Sequence, residues 1–227
     1  MRKLFLIELY LLISLFIFVS CNKKYRSKNG YEYVDLGLSV LWATCNVGAE
    51  NPEDCGDHFS WGEVIPEKRN AQYKTDGYAG YKWVMNKWGY HGYENNSLIK
   101  YCTDREEGYY GFRDNKIVLD SGDDAATVNW GYPWRMPTDA EQDELFYKCK
   151  WKKTKCKGVI GYKVIGPNGN SIFLPIDAAY GMAGYWSSSL DVEHPDNAHD
   201  ISFHDSGNLF ELSSLRYSAY FVRPVFP

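Results

Sequence analysis

Between Gly158 and the C-terminus, short stretches of alternating apolar and polar residues recur between turn residues. Residues 158–165 and 171–174 flank residues 166–170, Gly-Pro-Asn-Gly-Asn, a combination that strongly favours a hairpin turn. Further strands are predicted over residues 185–189, 198–203, 209–212 and 219–225. This part of the chain therefore predicts short antiparallel strands and excludes a helical bundle.

Helix signals occur at two places upstream of this series. Thr138 is a good N-cap, and Glu141 stands three residues further on, so a helix is predicted from there to about Cys149. The same spacing occurs in residues 121–124, Ser-Gly-Asp-Asp, just before Ala125. It predicts a second, short helix.

Two more strands are predicted near the N-terminus, over residues 31–36 and 40–44, whereas residues 51–95 have the composition of loops. Strands, then helices, then strands again, with little β-α-β alternation, predict an α+β fold. No low-complexity linker divides the chain, so we expect one domain over residues 30–227.

The N-terminus has the pattern of an export signal. After a short basic start, residues 4–19 are almost wholly apolar, and Ser20 then precedes Cys21. The apolar run is shorter than the roughly 20 residues that span a bilayer, so residues 1–20 are predicted to be a signal peptide. A small residue before a cysteine resembles the bacterial lipoprotein signal, in which the thiol is lipidated. We expect lipidation at Cys21, a tether over residues 21–29, and a lipid anchor in the outer membrane of the cell envelope, with or without exposure at the cell surface. A plain signal peptide with an incidental cysteine is the alternative.

The composition points to binding by stacking. The 227 residues include 19 Tyr, 8 Trp and 20 Gly. Aromatic side chains suit short strands and offer rigid contact surfaces. A net charge of −4 argues against nucleic acid as the main partner, because phosphate binding requires clustered Lys and Arg.

Cysteine spacing favours structural thiols. An exported chain meets an oxidising compartment, where disulfides can form. An odd number of cysteines follows Cys21, so at least one thiol stays free, and the sequence does not fix the connectivity. No C-x-x-C motif or zinc-like spacing occurs, so buried or structural thiols are expected. The cysteines concerned are the close pairs Cys45/Cys55 and Cys149/Cys156, which could close small loops, and Cys102.

Six segments occur in an order that resembles one protein family. They are residues 33–49, 59–63 (Phe-Ser-Trp-Gly-Glu), 123–126 (Asp-Asp-Ala-Ala), 134–138 (Trp-Arg-Met-Pro-Thr), 184–189 (Gly-Tyr-Trp-Ser-Ser-Ser) and 222–225 (Val-Arg-Pro-Val). Over residues 31–227 the series resembles lipoproteins of the Fibrobacter-type major paralogous domain (FISUMP) family of gut Bacteroidota. The resemblance implies a C-type-lectin-like domain with short antiparallel strands, one or two short helices and long loops. It also implies adjacent termini, with the strand over residues 31–36 beside the strand that ends at Val225.

An enzyme is not expected. The formylglycine-generating enzymes, to which the FISUMP family is distantly similar, bind copper through a cysteine pair near the C-terminus. This chain has no cysteine after Cys156, and it contains neither G-x-S-x-G nor H-E-x-x-H.

A metal cofactor is not expected either. His194, His199 and His204 recur every five residues, and an odd step along a strand turns successive side chains to opposite faces. Calcium is the alternative, because residues 120–124 offer hard oxygen ligands. Helix capping explains Asp123 and Asp124 equally well.

Ligand binding or adhesion is the function that the sequence favours. Residues 187–220 are rich in Ser, Asp, Asn, His and Tyr, a composition typical of adaptable binding surfaces. In the variable proteins of diversity-generating retroelements, which the family also resembles, the matching strands and loops carry the binding surface. The resemblance implies a glycan or protein ligand, and a structural or assembly role in a surface filament is the alternative. The candidate contacts are Asp191, His194, His199, Asp200, His204, Asp205, Asn208, Phe210, Arg216 and Tyr217.

Alternation along residues 198–203 predicts which side chains enter the core. Ile201 and Phe203 point to one face, together with Leu212 of the next strand, whereas Asp200 and His204 point to the other. A buried arginine needs a carboxylate or carbonyl partner. Structural roles are therefore predicted for Trp134, Arg135, Trp186 and Arg223.

Overall fold

A computed structural model describes residues 26–67, 81–85 and 97–227. Within these residues the strands form three antiparallel sheets, accompanied by two α-helices and one short 3-10 helix. Strand accounts for 36% of the structure and helix for 11%. The predicted α+β class is therefore wrong, and the fold is mainly β. The helices span only 6 and 10 residues, which is too little to form a layer of their own.

The first sheet contains both ends of the described chain. Its strands are β1 (Arg26–Lys28), β2 (Tyr31–Val34), β3 (Leu41–Ala43) and β10 (Val225–Phe226), in the order β1-β2-β3-β10. The first and last strands of the domain therefore share a sheet, as expected. They are not direct neighbours, because β3 pairs with both β2 and β10.

The predicted tether is partly ordered. Residues 26–28, which we expected to belong to it, form β1. The predicted signal peptide over residues 1–20, the lipidation site Cys21 and the rest of the tether to residue 25 lie outside the described residues.

The second sheet contains β4 (Lys150–Cys156), β5 (Val159–Ile165) and β6 (Ser171–Pro175) in that order. The predicted hairpin between β5 and β6 is confirmed. Its turn is closed by a hydrogen bond from the Gly166 N–H to the Asn170 carbonyl at 2.9 Å. Strand β4 was not predicted.

The third sheet contains β7 (Met182–Leu190), β8 (Asn197–His204) and β9 (Leu209–Leu215) in that order. Each of these strands covers a predicted one, so the strand series is confirmed here. The strand predicted over residues 219–225 is regular only at β10. Before β10, the chain meets the third sheet through a parallel bridge between Phe221 and Tyr185.

Both predicted helices are present. The longer one begins at its predicted cap, whereas the N-cap of the short one is Asp124, the last residue of the predicted signal, and not Ser121. Asp124 caps α1 (Ala125–Trp130) by accepting a hydrogen bond from the Thr127 N–H at 2.8 Å. Thr138 caps α2 (Asp139–Lys148), and the Glu141 carboxylate accepts from the Thr138 N–H at 2.8 Å, which completes the capping box.

Two large clusters of buried side chains form the core. In one, the inner face of the second sheet packs against the third sheet, so that Tyr162 and Val164 share a cluster with Ile201 and Phe203. Both Ile201 and Phe203 are buried, which confirms their predicted core positions. The other cluster is built around tryptophans, among them Trp61, Trp134 and Trp186.

Arg223 joins the first sheet to the second from within the core. It is fully buried, and its guanidinium donates to the carbonyls of Ala43 (3.0 Å), Thr44 (2.7 Å) and Phe173 (2.9 Å) and to Asn46 Oδ1 (2.7 Å). The predicted structural role is confirmed, with carbonyl rather than carboxylate partners.

The cysteines form no disulfide in the described part of the chain. Cys45 and Cys102 are buried and the other three are half-buried, all as free thiols. Among the described residues, no helix is both long enough and apolar enough to cross a membrane.

Candidate functional site

Helix α2 lies against the third sheet, and its first residue is fixed there. The Asp139 N–H donates to Ser189 Oγ at 3.1 Å. His199 of β8 faces the helix, and β9 places Glu211 directly opposite Ile201 of β8. Helix and sheet thus bring together a group of polar side chains, which we call the acidic surface. It consists of Asp139, Asp143, Tyr147, His199 and Glu211.

Glu211 is the most strongly perturbed member of the acidic surface. Its Oε2 accepts a hydrogen bond from the Tyr147 hydroxyl at 2.6 Å, whereas its Oε1 is buried and has no hydrogen-bond partner among the described residues. Burial, followed by the neighbouring carboxylate of Asp143, raises the pKa of Glu211 to about 7. A carboxyl group in this position holds its proton near neutral pH and can donate it to an acceptor.

Asp139 and His199 form a second pair within the acidic surface. His199 Nδ1 lies 3.6 Å from Asp139 Oδ1. Burial raises the pKa of Asp139, and the carboxylates of Asp143 and Asp191 act in the same direction, whereas His199 opposes them. Asp139, at the N-terminal end of α2, therefore loses its proton less readily, because it is partly buried and other carboxylates lie nearby.

Asp191 lies next to the acidic surface in the loop after β7. Its Oδ2 accepts from Ser213 Oγ at 2.5 Å, and its Oδ1 accepts from the N–H groups of Glu193 and His194. Burial would raise the pKa of Asp191, but these hydrogen bonds outweigh it and lower the pKa. Asp191 is thus an ionised anchor of its loop, and Ser213 donates to it rather than to a histidine.

The predicted contacts divide into two groups at opposite ends of the β8–β9 hairpin. His199 lies at the α2 end, with Asp191 and His194 in the adjoining loop. His204, Asp205, Asn208 and Phe210 surround the turn at the other end, where the His204 N–H donates to the Asn208 carbonyl at 3.0 Å. Six residues of extended strand separate His199 from Asp205, a distance of about 20 Å. One small ligand therefore does not reach both groups.

Asp200 is not a surface contact, so its predicted exposure is wrong. It is only 1% exposed, because β8 is the middle strand and the Tyr220 ring packs against Gly184 of β7 on the same side. Its Oδ1 accepts from Ser202 Oγ at 2.6 Å, and its Oδ2 has no hydrogen-bond partner within the described ranges. Burial raises the pKa of Asp200 to about 6. Leu212, opposite Asp200 on the edge strand, is 43% exposed, so its predicted core position is also wrong.

Arg216 is likewise buried rather than available to a ligand. Its guanidinium donates to the carbonyls of Pro195 (2.7 Å), Tyr101 (3.0 Å) and Lys100 (3.1 Å). Arg216 thus connects separate loops through their carbonyl groups, much as Arg223 connects two sheets. Tyr217 is half-buried, and its carbonyl accepts from Ser60 Oγ at 3.1 Å.

The sequence did contain a signal for the missed residues. Asp139, Asp143 and Tyr147 are spaced by four, which places them on one face of a helix. A second missed feature is the run of lysines over residues 150–157, Lys-Trp-Lys-Lys-Thr-Lys-Cys-Lys, which the overall negative charge conceals.

The residues considered for calcium have other partners. Asp123 accepts from the Lys82 and Lys100 ammonium groups and from the Tyr101 hydroxyl at 2.6 Å. Asp124 caps α1 and also accepts from the Met136 N–H. In the part of the chain that the structure describes, no group of three or more Cys, His, Asp or Glu side chains is arranged to hold a metal ion. The expectation of no cofactor stays a prediction.

Comparisons with family models, with curated proteins and with solved structures gave no match to this chain. The resemblance to the FISUMP family therefore rests on the six sequence segments alone. The contacts within the acidic surface carry the functional argument.

Proposed function

We propose that this protein is a lipid-anchored component of the cell envelope whose domain binds a ligand through the acidic surface, in adhesion or ligand recognition. The observation that carries the proposal is the convergence of Asp139, Tyr147, His199 and Glu211 from three elements. Pairs of partly exposed polar groups contribute little to stability, so their grouping favours a binding role.

The chemistry of the surface suits a ligand rich in hydroxyl or amide groups. Glu211 donates or accepts a hydrogen bond according to its protonation, and Asp139 and His199 add an acceptor and a donor. Tyr147 is 70% exposed and offers a ring for stacking. A glycan fits this combination, and a polar protein segment is the second ligand class that we propose. Nucleic acid does not fit, because the surface is acidic.

We propose no enzymatic activity. The acidic surface has coupled titratable groups, as many active sites do. However, Ser213 donates to Asp191 instead of to a histidine, and the thiols of Cys45, Cys102 and Cys149 have pKa values raised by burial. These groups are poor nucleophiles.

A second candidate function, assembly into a surface filament, is favoured by the edge of the third sheet. Among the described residues, β9 pairs only with β8, so its other side is open. Phe210 and Leu212 are both partly exposed on this strand. An open edge of this kind can accept a strand from another chain.

The ligand is identified with a soluble form of the protein. Every member of the two large core clusters, and of a smaller cluster around Tyr81 and Leu98, lies between residues 31 and 226, so a chain of residues 22–227 retains the described fold. This chain is applied to glycan and protein arrays, with and without calcium. We expect binding that Tyr147→Ala or His199→Ala weakens by about tenfold or more, since exposed anchors dominate most interfaces.

Tyr132→Ala is the matched control, because Tyr132 is 86% exposed and lies outside the acidic surface. It should leave the affinity unchanged. Equal losses for Tyr132→Ala and Tyr147→Ala, or full binding by the His199 and Tyr147 variants, would contradict the proposed site. Binding that requires calcium would restore the calcium alternative.

The lipid anchor is tested in cells with Cys21→Ala. We expect unprocessed precursor and no incorporation of labelled palmitate, because the lipidated thiol is absent. Ser20→Ala is the control, since alanine is also small and should preserve processing. Normal processing and labelling of Cys21→Ala would show that the anchor is wrong.

A further inference from the structure

The outer face of the second sheet carries three lysines. Trp151, Tyr162 and Val164 point inward to the core, so alternation turns Lys150, Lys152 and Lys163 outward. All three are exposed. We call Lys150, Lys152 and Lys163 the lysine face.

The side chains of the lysine face repel one another. Lys152 lies directly opposite Lys163 on the neighbouring strand, and like charges in this position destabilise a sheet. Within the described residues, none of the three has a carboxylate within 4.0 Å, whereas the lysines just before and just after β4 are paired. Lys148 lies 2.8 Å from Glu144, and Lys157 lies 2.7 Å from Glu53. A net negative protein thus concentrates unpaired positive charge in one place.

The lysine face lies close to the point where the chain leaves the domain toward Cys21. Lys150 pairs with Ile165, immediately before the β5–β6 turn. From that turn, the Asn168 and Asn170 side chains each donate to the Asp35 carbonyl at 2.9 Å. Asp35 directly follows β2, the strand that pairs with β1 and thus holds the first described residues of the chain.

The predicted lipid site is held near this end by a short connection. Five peptide steps separate Cys21 from Arg26, and a chain of that length reaches at most about 18 Å. The connection itself adds Lys23 and Lys24. Positive charge from the connection and from the lysine face therefore collects on the side of the domain that the anchor draws to the bilayer.

We propose that the lysine face rests on anionic phospholipid headgroups and so fixes the orientation of the domain on its membrane. This inference rests on the lipid anchor of the proposed function. The opposite, inner face of the second sheet packs on Ile201 and Phe203 of the third sheet. Contact between the lysine face and the bilayer therefore directs the third sheet, with the acidic surface, away from the lipid, where a ligand can approach.

A soluble acidic polymer is a different partner for the same charges. The membrane is favoured because the lysine face adjoins the anchored end of the chain and because lysines near an anionic surface each contribute to its binding. Binding of a soluble polymer would not require the lysine face to lie near the anchored end of the chain.

The test uses unlipidated residues 22–227, so that lipid insertion does not contribute. Co-sedimentation is measured with vesicles of phosphatidylcholine and phosphatidylglycerol, and with vesicles of phosphatidylcholine alone. We expect binding only to the anionic vesicles, and we expect it to weaken as salt rises. The triple change Lys150→Gln, Lys152→Gln and Lys163→Gln should weaken this binding on the order of 100-fold.

The matched control changes Lys116, Lys148 and Lys157 to Gln, three lysines that are already paired with carboxylates. It alters the net charge equally and should cause a much smaller loss. Equal losses for the two triple variants, full binding by the first, or stronger binding to soluble dextran sulfate than to anionic vesicles would each overturn the proposal. Because the array and palmitate experiments do not use vesicles, a failure here is distinguishable from a failure of the proposed function.

Discussion

The lysine face and the acidic surface are opposite in charge and also in construction. Lys150, Lys152 and Lys163 extend from two adjacent strands into solvent and have no carboxylate partner in the described part of the chain. The acidic surface is assembled from α2, β8 and β9, and its members perturb one another, as Tyr147 and Glu211 do across 2.6 Å.

The difference shows how each surface responds to its surroundings. Interactions of exposed lysines with other charges respond mainly to ionic strength, because salt screens them. Half-buried carboxyl groups exchange protons near neutral pH, so the acidic surface and the strand beneath it respond to pH. Substitutions of Phe203, Asp200, Glu211 and Lys152 separate the contributions of core packing, of the two acids and of the lysine face.

Truncation of Phe203, which packs in the core beneath the acidic surface, has the largest expected effect on stability. Phe203 is fully buried between the second and third sheets. Phe203→Ala should lower the free energy of unfolding by about 3–5 kcal/mol, because it leaves a cavity. Chemical denaturation measures the change. Phe210→Ala, at an exposed position on the next strand, is the control and should cost far less, and equal costs would contradict the assigned core.

The buried acid of β8 should make stability depend on pH. Burial raises the pKa of Asp200 to about 6 in the folded protein, from 3.8 in the unfolded chain. The contribution of Asp200 to stability is then largest below pH 3.8 and is lost as pH rises through 6. Asp200→Asn should remove this loss and stabilise the protein at pH 7 on the order of 2–3 kcal/mol, with little effect at acidic pH.

Thermal or urea unfolding across this pH range measures the effect, with Asp205→Asn as an exposed control. Destabilisation by Asp200→Asn at pH 7 would mean that the ionised carboxylate supports the fold.

The half-buried acid Glu211 should give a smaller effect of the same sign. The pKa of Glu211 is raised from 4.5 to about 7, so its contribution declines as pH rises through 7. Because solvent screens this position, Glu211→Gln should stabilise the protein at pH 8 by only about 1 kcal/mol. Glu193→Gln, an exposed change of equal charge, is the control and should not stabilise the protein at pH 8. If Glu211→Gln changes stability equally at pH 5 and pH 8, the inferred interaction between Glu211 and Asp143 is wrong.

The smallest expected effect concerns repulsion within the lysine face. Lys152→Glu replaces a like-charge pair opposite Lys163 with an opposite-charge pair, which should add about 0.5 kcal/mol of stability at low salt. Lys155→Glu is the control, because Lys155 lies opposite Ile160. The gain should vanish at high salt, and an equal gain for Lys155→Glu would show that net charge alone is responsible.

Local signals predicted much of the secondary structure. Thr138 and Glu141 marked the start of α2, and the glycines and asparagines of residues 166–170 marked the hairpin turn, because caps and turns depend on nearby residues. Arg223 was assigned a structural role from its apolar neighbours alone. The predicted fold class was wrong because the two helices, although correctly located, are too short to form a layer of their own.

The sequence by itself determined most of the strands, the cap of α2 and the β5–β6 turn of this protein, since each depends on residues that lie close together in the chain. Only the tertiary structure decided that Asp200 is buried and Leu212 exposed, because alternation assigns residues to two faces without saying which face is covered. Tertiary packing also decided that Tyr147 and Glu211, 64 residues apart, share a hydrogen bond. A contact of this kind depends on how a helix settles on a sheet, and no local pattern contains that information.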